Sequence, residues 1–291
     1  VRIDQLLASS TRPLFSFEFF PPRTPAGESN LRDALTALAD FSPDFASVTY
    51  GAGGSTRQRT LEVTRWLKAE LEIEAMAHLT LVGASVDELR ATLDALAETG
   101  IENVLALRGD AAKGEAWRPH PAGLRHANEL VRLISREYEL TVGGACFPEM
   151  HPESTSRDSD IAYLKLKVRA GASFLITQLF FENRLYFDFV AACRAAGIET
   201  PILPGIMPIT SIHQLDTFTS MCGASVPPTL RDRLDDCRSD AEVVSVGIEH
   251  ALEQCQGLLA GGAPGIHFYT LNRSPATRTV LAELRAQIPS R

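Results

Sequence analysis

Cysteine is scarce in this sequence, and its spacing is wrong for pairing. The 291 residues hold five: Cys146, Cys193, Cys222, Cys237 and Cys255. The count is odd, the gaps are wide and no C-x-x-C occurs. That argues against a disulfide framework and against a structural zinc site. Long apolar runs are missing too, with nothing near the roughly 18 residues of a membrane span. The opening VRIDQLLASSTRPLF has neither the basic region nor the apolar core of a signal peptide. A cytoplasmic protein without a membrane partner is expected. Lysine is rare, four of the 28 basic residues. The net charge of −8 excludes a general attraction for nucleic acid and leaves room only for a local basic pocket. Linker-like tracts, low-complexity segments and short-period repeats are also absent, so residues 1–291 read as a single domain.

What is present is an alternation of strand-like and helix-like segments. Strands are expected at 14–20, 44–50, 73–80, 103–108, 140–147, 173–180, 201–206 and 265–271. Helices are expected at 31–40, 57–71, 86–99, 123–137, 161–170, 185–195, 211–221, 229–235, 240–260 and 276–286. Ser85 with Glu88 three residues on reads as a capping box, and Gly100, Gly171 and Gly197 read as glycines that close helices. Eight strands, each followed by at least one helix, predict an eight-stranded parallel β/α (TIM) barrel with extra helices. The length suits it, since such barrels take about 250 residues. An open doubly wound sheet is the alternative. In a barrel, the working groups sit at the C-terminal ends of the strands.

Nearly every strand end carries polar groups or glycine. In order they hold Glu18, Thr49, His78, the run Arg108-Gly109-Asp110, Phe147 with His151, Gln178, and Tyr269 with Arg273. Glu18 alternates with Phe17 and Phe19, so it points away from them into a largely dry region. A buried carboxylate is costly without a partner or a task, and a structural ion pair with arginine is the competing reading. Asp110 alone could simply cap a helix. GAGGST, at 51–56, matches neither dinucleotide nor phosphate-loop spacing. Glu149, His151 and Glu153 lie among prolines without H-E-x-x-H, and no metal is expected.

Nine segments in order carry a family resemblance: FSFEFFPPRT, SVTYGAGGSTRQRT, AHLT, ALRGD, PEMHPE, LKLKVRAGA, ITQLFF, PGIMPI and HFYTLNR. Together they resemble methylenetetrahydrofolate reductase of the short bacterial type, without the regulatory domain of eukaryotic relatives. The resemblance implies a β/α barrel with non-covalent FAD that uses NAD(P)H, NADH being expected from the short form. It implies reduction of 5,10-methylenetetrahydrofolate to 5-methyltetrahydrofolate by ping-pong hydride transfer through the flavin. Glu18 matches the general acid that protonates folate N10 and opens the ring to an iminium. A poorly solvated carboxyl holds its proton more readily than a solvated one. Asp110 matches the acidic residue beside flavin and folate, and Gln178 a contact to folate and nicotinamide.

Flavin positions implied in the same way are Thr49, His78, Arg108, Gly109, Asp110, Ala127, His151, Asp160 and Lys167. Arg108 and Lys167 are the natural partners of the diphosphate. Tyr269 and Arg273 would border the substrate. Three positions depart from the bacterial pattern: His126 and Phe147 each replace a tyrosine at the flavin, and Ile212 replaces a phenylalanine that clamps substrate. The alternatives are a flavin-free enzyme of the same family, a folate-dependent barrel methyltransferase, or a folate- or flavin-binding regulator. Self-association is expected, as flavin barrels often associate.

Overall fold

Two faces of the first strand decide the architecture. In β1 (Leu14–Phe19) all six residues are buried. Phe15, Phe17 and Phe19 join the large apolar layer under the helices, while Ser16 and Glu18 alternate with them and face the barrel axis. The same alternation recurs in β2 (Phe45–Val48), β3 (Ala75–Thr80) and β4 (Asn103–Leu107), and again in β5 (Thr141–Cys146) and β6 (Phe174–Thr177). The short β7 (Ile202–Leu203), β8 (Gly205–Ile206) and β9 (Gly265–Tyr269) complete the set. This computed structural model describes residues 1–22, 24–50, 57–111, 116–273 and 275–287. The GAGGST segment lies outside the described residues.

All strand pairs are parallel, in the order β7-β6-β5-β4-β3-β2-β1-β9-β8. Eight strands are expected from the sequence and nine segments are found. The difference is one proline. Pro204 separates β7 from β8 and has no N–H to give a ladder. β7 pairs with β6 and β8 pairs with β9, so the two ends of the order are halves of one stave. Pro204 still contributes its carbonyl, which accepts from His267 N–H at 2.9 Å. Gly205 N–H donates to the Thr177 hydroxyl of β6 at 2.9 Å. Nine segments thus make eight staves of a parallel barrel.

Helices cover the outside: α2 (Pro25–Ala39), α3 (Arg57–Glu70), α4 (Val86–Glu98), α5 (Ala127–Glu137), α6 (Arg157–Arg169) and α7 (Asn183–Ala195). After the split stave come α8 (Ile212–Cys222), α9 (Pro228–Asp235), α10 (Asp240–Ala260) and, after β9, α11 (Pro275–Gln287). The expected capping box is present. Glu88 N–H donates to Ser85 Oγ at 3.2 Å, and Ser85 N–H to Glu88 Oε2 at 2.8 Å. Gly100 and Gly197 follow α4 and α7 with φ of +75° and +76°, the conformation expected of them. α8 and α9 pack their apolar sides on α10 through Leu215, Leu230, Leu234 and Val243. The same cluster takes in Leu179, Phe181, Met207 and Ile209 from segments leaving the sheet. That lays an apolar ledge beside the C-terminal end of the barrel. α10 fastens the segment after β6 as well: Gln254 Nε2 donates to the Phe180 carbonyl at 2.9 Å.

One helix has no counterpart in the sequence reading. α1 (Ile3–Ser9) is only seven residues long, and it closes the N-terminal end of the barrel. Ile3 and Leu7 pack against the axial side chains Phe45, Met76, Leu105, Phe174, Ile176 and Leu203. Asn103, fully buried at the start of β4, holds it in place. Its Oδ1 accepts from Ile3 N–H at 2.8 Å, and its Nδ2 donates to the Val1 carbonyl at 3.0 Å and Glu74 Oε1 at 2.9 Å. Asn103→Ala strands buried partners, so urea unfolding should show a loss of about 2–3 kcal/mol. A loss below about 0.5 kcal/mol would show that α1 is held by packing alone.

Candidate active site

At the opposite, C-terminal end the axis turns polar. Glu18 is 8% exposed. Its Oε2 lies 3.3 Å from His78 Nε2 of β3 and 3.6 Å from His267 Nε2 of β9. Neither contact is aligned as a hydrogen bond, and both imidazole nitrogens are buried without another partner among the described residues. Ser47 Oγ, directly across from Glu18 in the β1–β2 register, and Thr80 Oγ1 are likewise buried and unpartnered. Native interiors seldom leave such atoms unsatisfied, so this cluster has the character of a binding surface.

The end of β1 is held from outside the strand. Thr270 Oγ1 donates to the Glu18 carbonyl at 2.7 Å. Asn272, at φ +56°, gives a second strand-like pair: its Oδ1 accepts from Phe20 N–H and its Nδ2 donates to the Phe20 carbonyl, both at 2.8 Å. Glu18 therefore sits on a fixed backbone. Tyr269, paired with Glu18 in the register of β9, sends its hydroxyl across the split stave to the Thr177 carbonyl at 2.6 Å. Gly205 makes the space, since a Cβ there would lie 2.5 Å from the tyrosine ring. Burial, and next the Glu18 carboxylate, push the Tyr269 phenol well above its ordinary range.

A second group lies on β4, β5 and α6. Arg108, at the end of β4, donates twice to the Glu153 carboxylate at 2.5 and 2.7 Å and lies over the Trp117 ring. Gly109 turns at φ +79° against Val82, where a Cβ would meet the valine at 2.6 Å. Asp110 follows, exposed. After β5 the chain turns through Met150 at φ +80° and sets Phe147 edge-on to His151, 4.6 Å between ring centroids. Asp160 Oδ2 accepts from His151 N–H at 3.2 Å. Lys167 directs Nζ to the Ala145 carbonyl at 2.5 Å, and burial lowers its pKa.

The structure thus gathers Glu18, His78 and Tyr269 in one cluster. It places Arg108, Gly109, Asp110, Phe147, His151, Asp160 and Lys167 in the neighbouring one. Thr49 joins β2 to β1 through its N–H on the Phe19 carbonyl at 2.9 Å, and Gln178 leaves β6 with its N–H on the Cys146 carbonyl at 2.7 Å. Ile212 opens α8 against the apolar ledge. His126 and Ala127 begin α5, and Arg273 is exposed after β9. No hydrogen bond, ion pair or ring contact among the described residues ties these last three to Glu18. His267 and Ser16 were not singled out from the sequence, although His267 shares the face of Tyr269 two residues on. Among the described residues no cluster of His, Cys, Asp and Glu is arranged to hold a metal ion, and no helix is long and apolar enough to cross a membrane.

The family model for methylenetetrahydrofolate reductase matches residues 2–285. The chain belongs to the methylenetetrahydrofolate reductase family. It is 38% identical over 260 residues to the 5,10-methylenetetrahydrofolate reductase of Escherichia coli, covering 89% of this chain and 86% of that one. It is 37% identical over 285 residues to methylenetetrahydrofolate reductase (NADH) 1 of Arabidopsis thaliana, covering 93% of this chain and 48% of that one. The chain therefore spans about half the length of the plant relatives it matches. Among solved structures, an uncharacterized Clostridium thermocellum protein superposes with a TM-score of 0.66 at 14% identity, covering 98% and 99% of the two chains. That likeness shows the shared fold.

Burial sets a pH dependence for this reductase-family barrel. His78, His151 and His250 are each held below the ordinary imidazole range, chiefly by burial. As pH falls through about 6.5 the unfolded chain takes up these protons first. Stability is then fully present above that pH and lost on the way down to the folded-state values, by at most about 1.4 kcal/mol per pH unit per histidine. Urea unfolding should be level from pH 8 to 7 and fall below 6.5, and His78→Asn should make the fall shallower. An unchanged slope in that variant would place the acid lability elsewhere.

Proposed function

We propose that this chain reduces 5,10-methylenetetrahydrofolate to 5-methyltetrahydrofolate with a reduced nicotinamide, NADH by preference, in a ping-pong reaction on bound FAD in the cytoplasm. Family membership supports the reaction. The observation that carries the assignment of roles is the placement of Glu18, an inward carboxyl on a pinned strand end at the barrel mouth, shielded from water.

The residues fit a flavin dinucleotide. Ser47 Oγ, across from Glu18, and Thr80 Oγ1, two residues beyond His78 on β3, are buried polar atoms without partners among the described residues. Arg108 and Lys167 bring two cationic groups to one side of the mouth. The Glu153 partner of Arg108 is 60% exposed, against 23% for the arginine, so solvent can take over that carboxylate when the guanidinium turns to a diphosphate. Thr49, His78, Gly109, Asp110, Ala127, His151 and Asp160 would complete the holding set. FAD, when bound, supplies two-electron transfer between nicotinamide and folate.

The remaining chemistry belongs to the chain. Glu18 moves a proton from its carboxyl to folate N10. The N10–methylene bond then breaks, and the methylene remains on N5 as an iminium able to accept a hydride. Asp110 accepts hydrogen bonds from the pterin and favours the developing positive charge. Gln178, half-buried at the end of β6, orients folate and nicotinamide in turn. Tyr269, its hydroxyl on the Thr177 carbonyl next to Gln178, lines the same side of the site.

Glu18→Gln should keep the flavin absorbance and NADH oxidation with a quinone acceptor, and should lower methylenetetrahydrofolate reduction by about 10²–10⁴-fold. Folate reduction that survives in this variant removes Glu18 as the acid. Asp110→Asn should raise the flavin reduction potential and weaken folate turnover; an unchanged potential would place Asp110 away from the ring.

A further inference from the structure

Behind Glu18 lies a second buried pair that the proposed reaction does not use. Ser16 and His267 both face the barrel axis, directly paired in the β1–β9 register. Ser16 Oγ is 2.8 Å from His267 Nδ1. Both residues are buried, His267 completely. The imidazole is held on two further sides: Phe45 stacks on it at 6.0 Å and 17°, and Tyr269 meets it edge-on at 5.5 Å and 87°. The ring has one orientation, with Nδ1 on Ser16 and Nε2 toward Glu18.

That orientation fixes a tautomer. The Ser16 hydroxyl has a proton to place and, among the described residues, Nδ1 is its only partner. If Nδ1 carried the ring proton, the hydroxyl hydrogen would be buried without an acceptor, which costs more than the bond gained. The hydroxyl therefore donates to Nδ1, and the ring proton belongs on Nε2. Nε2–H then faces Glu18 Oε2 at 3.6 Å, a separation that a few tenths of an ångström turn into a hydrogen bond. His78 Nε2 makes its nearest approach to the same oxygen.

We infer that Ser16 and His267 form a proton-placing device for Glu18: the Nε2–H tautomer makes Oε2 the accepting oxygen of the carboxyl and leaves the acid proton on Oε1. His267 is a positioning residue, acting through Glu18 rather than on substrate, and its relevance to turnover rests on the reading of Glu18 as the acid. The groups that face this carboxyl are His78 from β3 and His267 and Tyr269 from β9. Of the two imidazoles, His267 has its far nitrogen on a dedicated hydroxyl, and no such partner of His78 is found among the described residues.

The test uses the full chain labelled with ¹⁵N-histidine. The side-chain spectrum of the unaltered protein should show His267 as a single Nε2–H tautomer. In Ser16→Ala the resonance should shift to a tautomer mixture. The ratio of the folate-reduction rate to the NADH–quinone rate should fall about five- to tenfold, the worth of one hydrogen bond in the reacting state. An Nδ1–H tautomer in the unaltered protein overturns the inference even where the variant fails to fold. So does a Ser16→Ala protein with an unchanged spectrum or rate ratio while Glu18→Gln is inactive toward folate. Folate reduction that persists in Glu18→Gln instead sinks the acid assignment, and the spectrum still reports on the Ser16–His267 pair by itself.

Discussion

A closed parallel barrel is dry on both faces of every stave, so a polar side chain aimed at the axis has only what the other staves present to it. Most of this axis meets the constraint with apolar groups: Phe45, Met76, Leu105, Phe174, Ile176 and Leu203 fill the lower layers. Toward the C-terminal end the filling changes to Ser16, Glu18, Ser47, His78, Thr80 and His267. Water is scarce there, and each of these groups is worth more to its neighbours than it would be in solvent. The polar layer is costly to the fold and useful to a reaction for the same reason.

The rest of the architecture serves to keep that layer in place. Helix α1 seals the lower end through Asn103. The loop after β9 extends the pairing of β1 with side-chain amides once the backbone ladder stops. Gly205 gives up a side chain so that the Tyr269 ring can cross the seventh stave. On the adjoining staves, Arg108 is paired with Glu153 and the buried Lys167 ammonium feels the charge of Asp160, in a chain whose total is acidic. A cationic group here comes from local arrangement rather than from composition.

Much of this was legible in the residues. The alternation of Phe15, Phe17 and Phe19 with Ser16 and Glu18 is a period-two signal, and it puts Glu18 on the axis once a barrel is assumed. Every expected stave is found, with at most three residues trimmed from either end. The split at Pro204 was visible as a proline inside a strand-like run, yet its consequence depended on which neighbours needed its N–H. Helix α1 was missed because seven residues are too few for a periodic pattern, and the helix depends on Asn103, about 100 residues away. His267 gives no signal of its own because it lies inside the strand-like run of β9, two residues before the polar end. Applying to β9 the alternation used for β1 would have set it beside Tyr269 on the inner face.

The pairing of β1 with β9 joins segments 251 residues apart. Closing so long a loop is slow and entropically unfavourable, and little of the cost returns until the final stave docks. Glu18 is made well before His267, which lies on a strand some 250 residues further along the chain. During synthesis the carboxyl waits on an unfinished sheet edge, wet and without its imidazole. The step that shuts the cylinder is also the one that dries the acid and brings its second histidine, so chemical competence and completion of the fold arrive together.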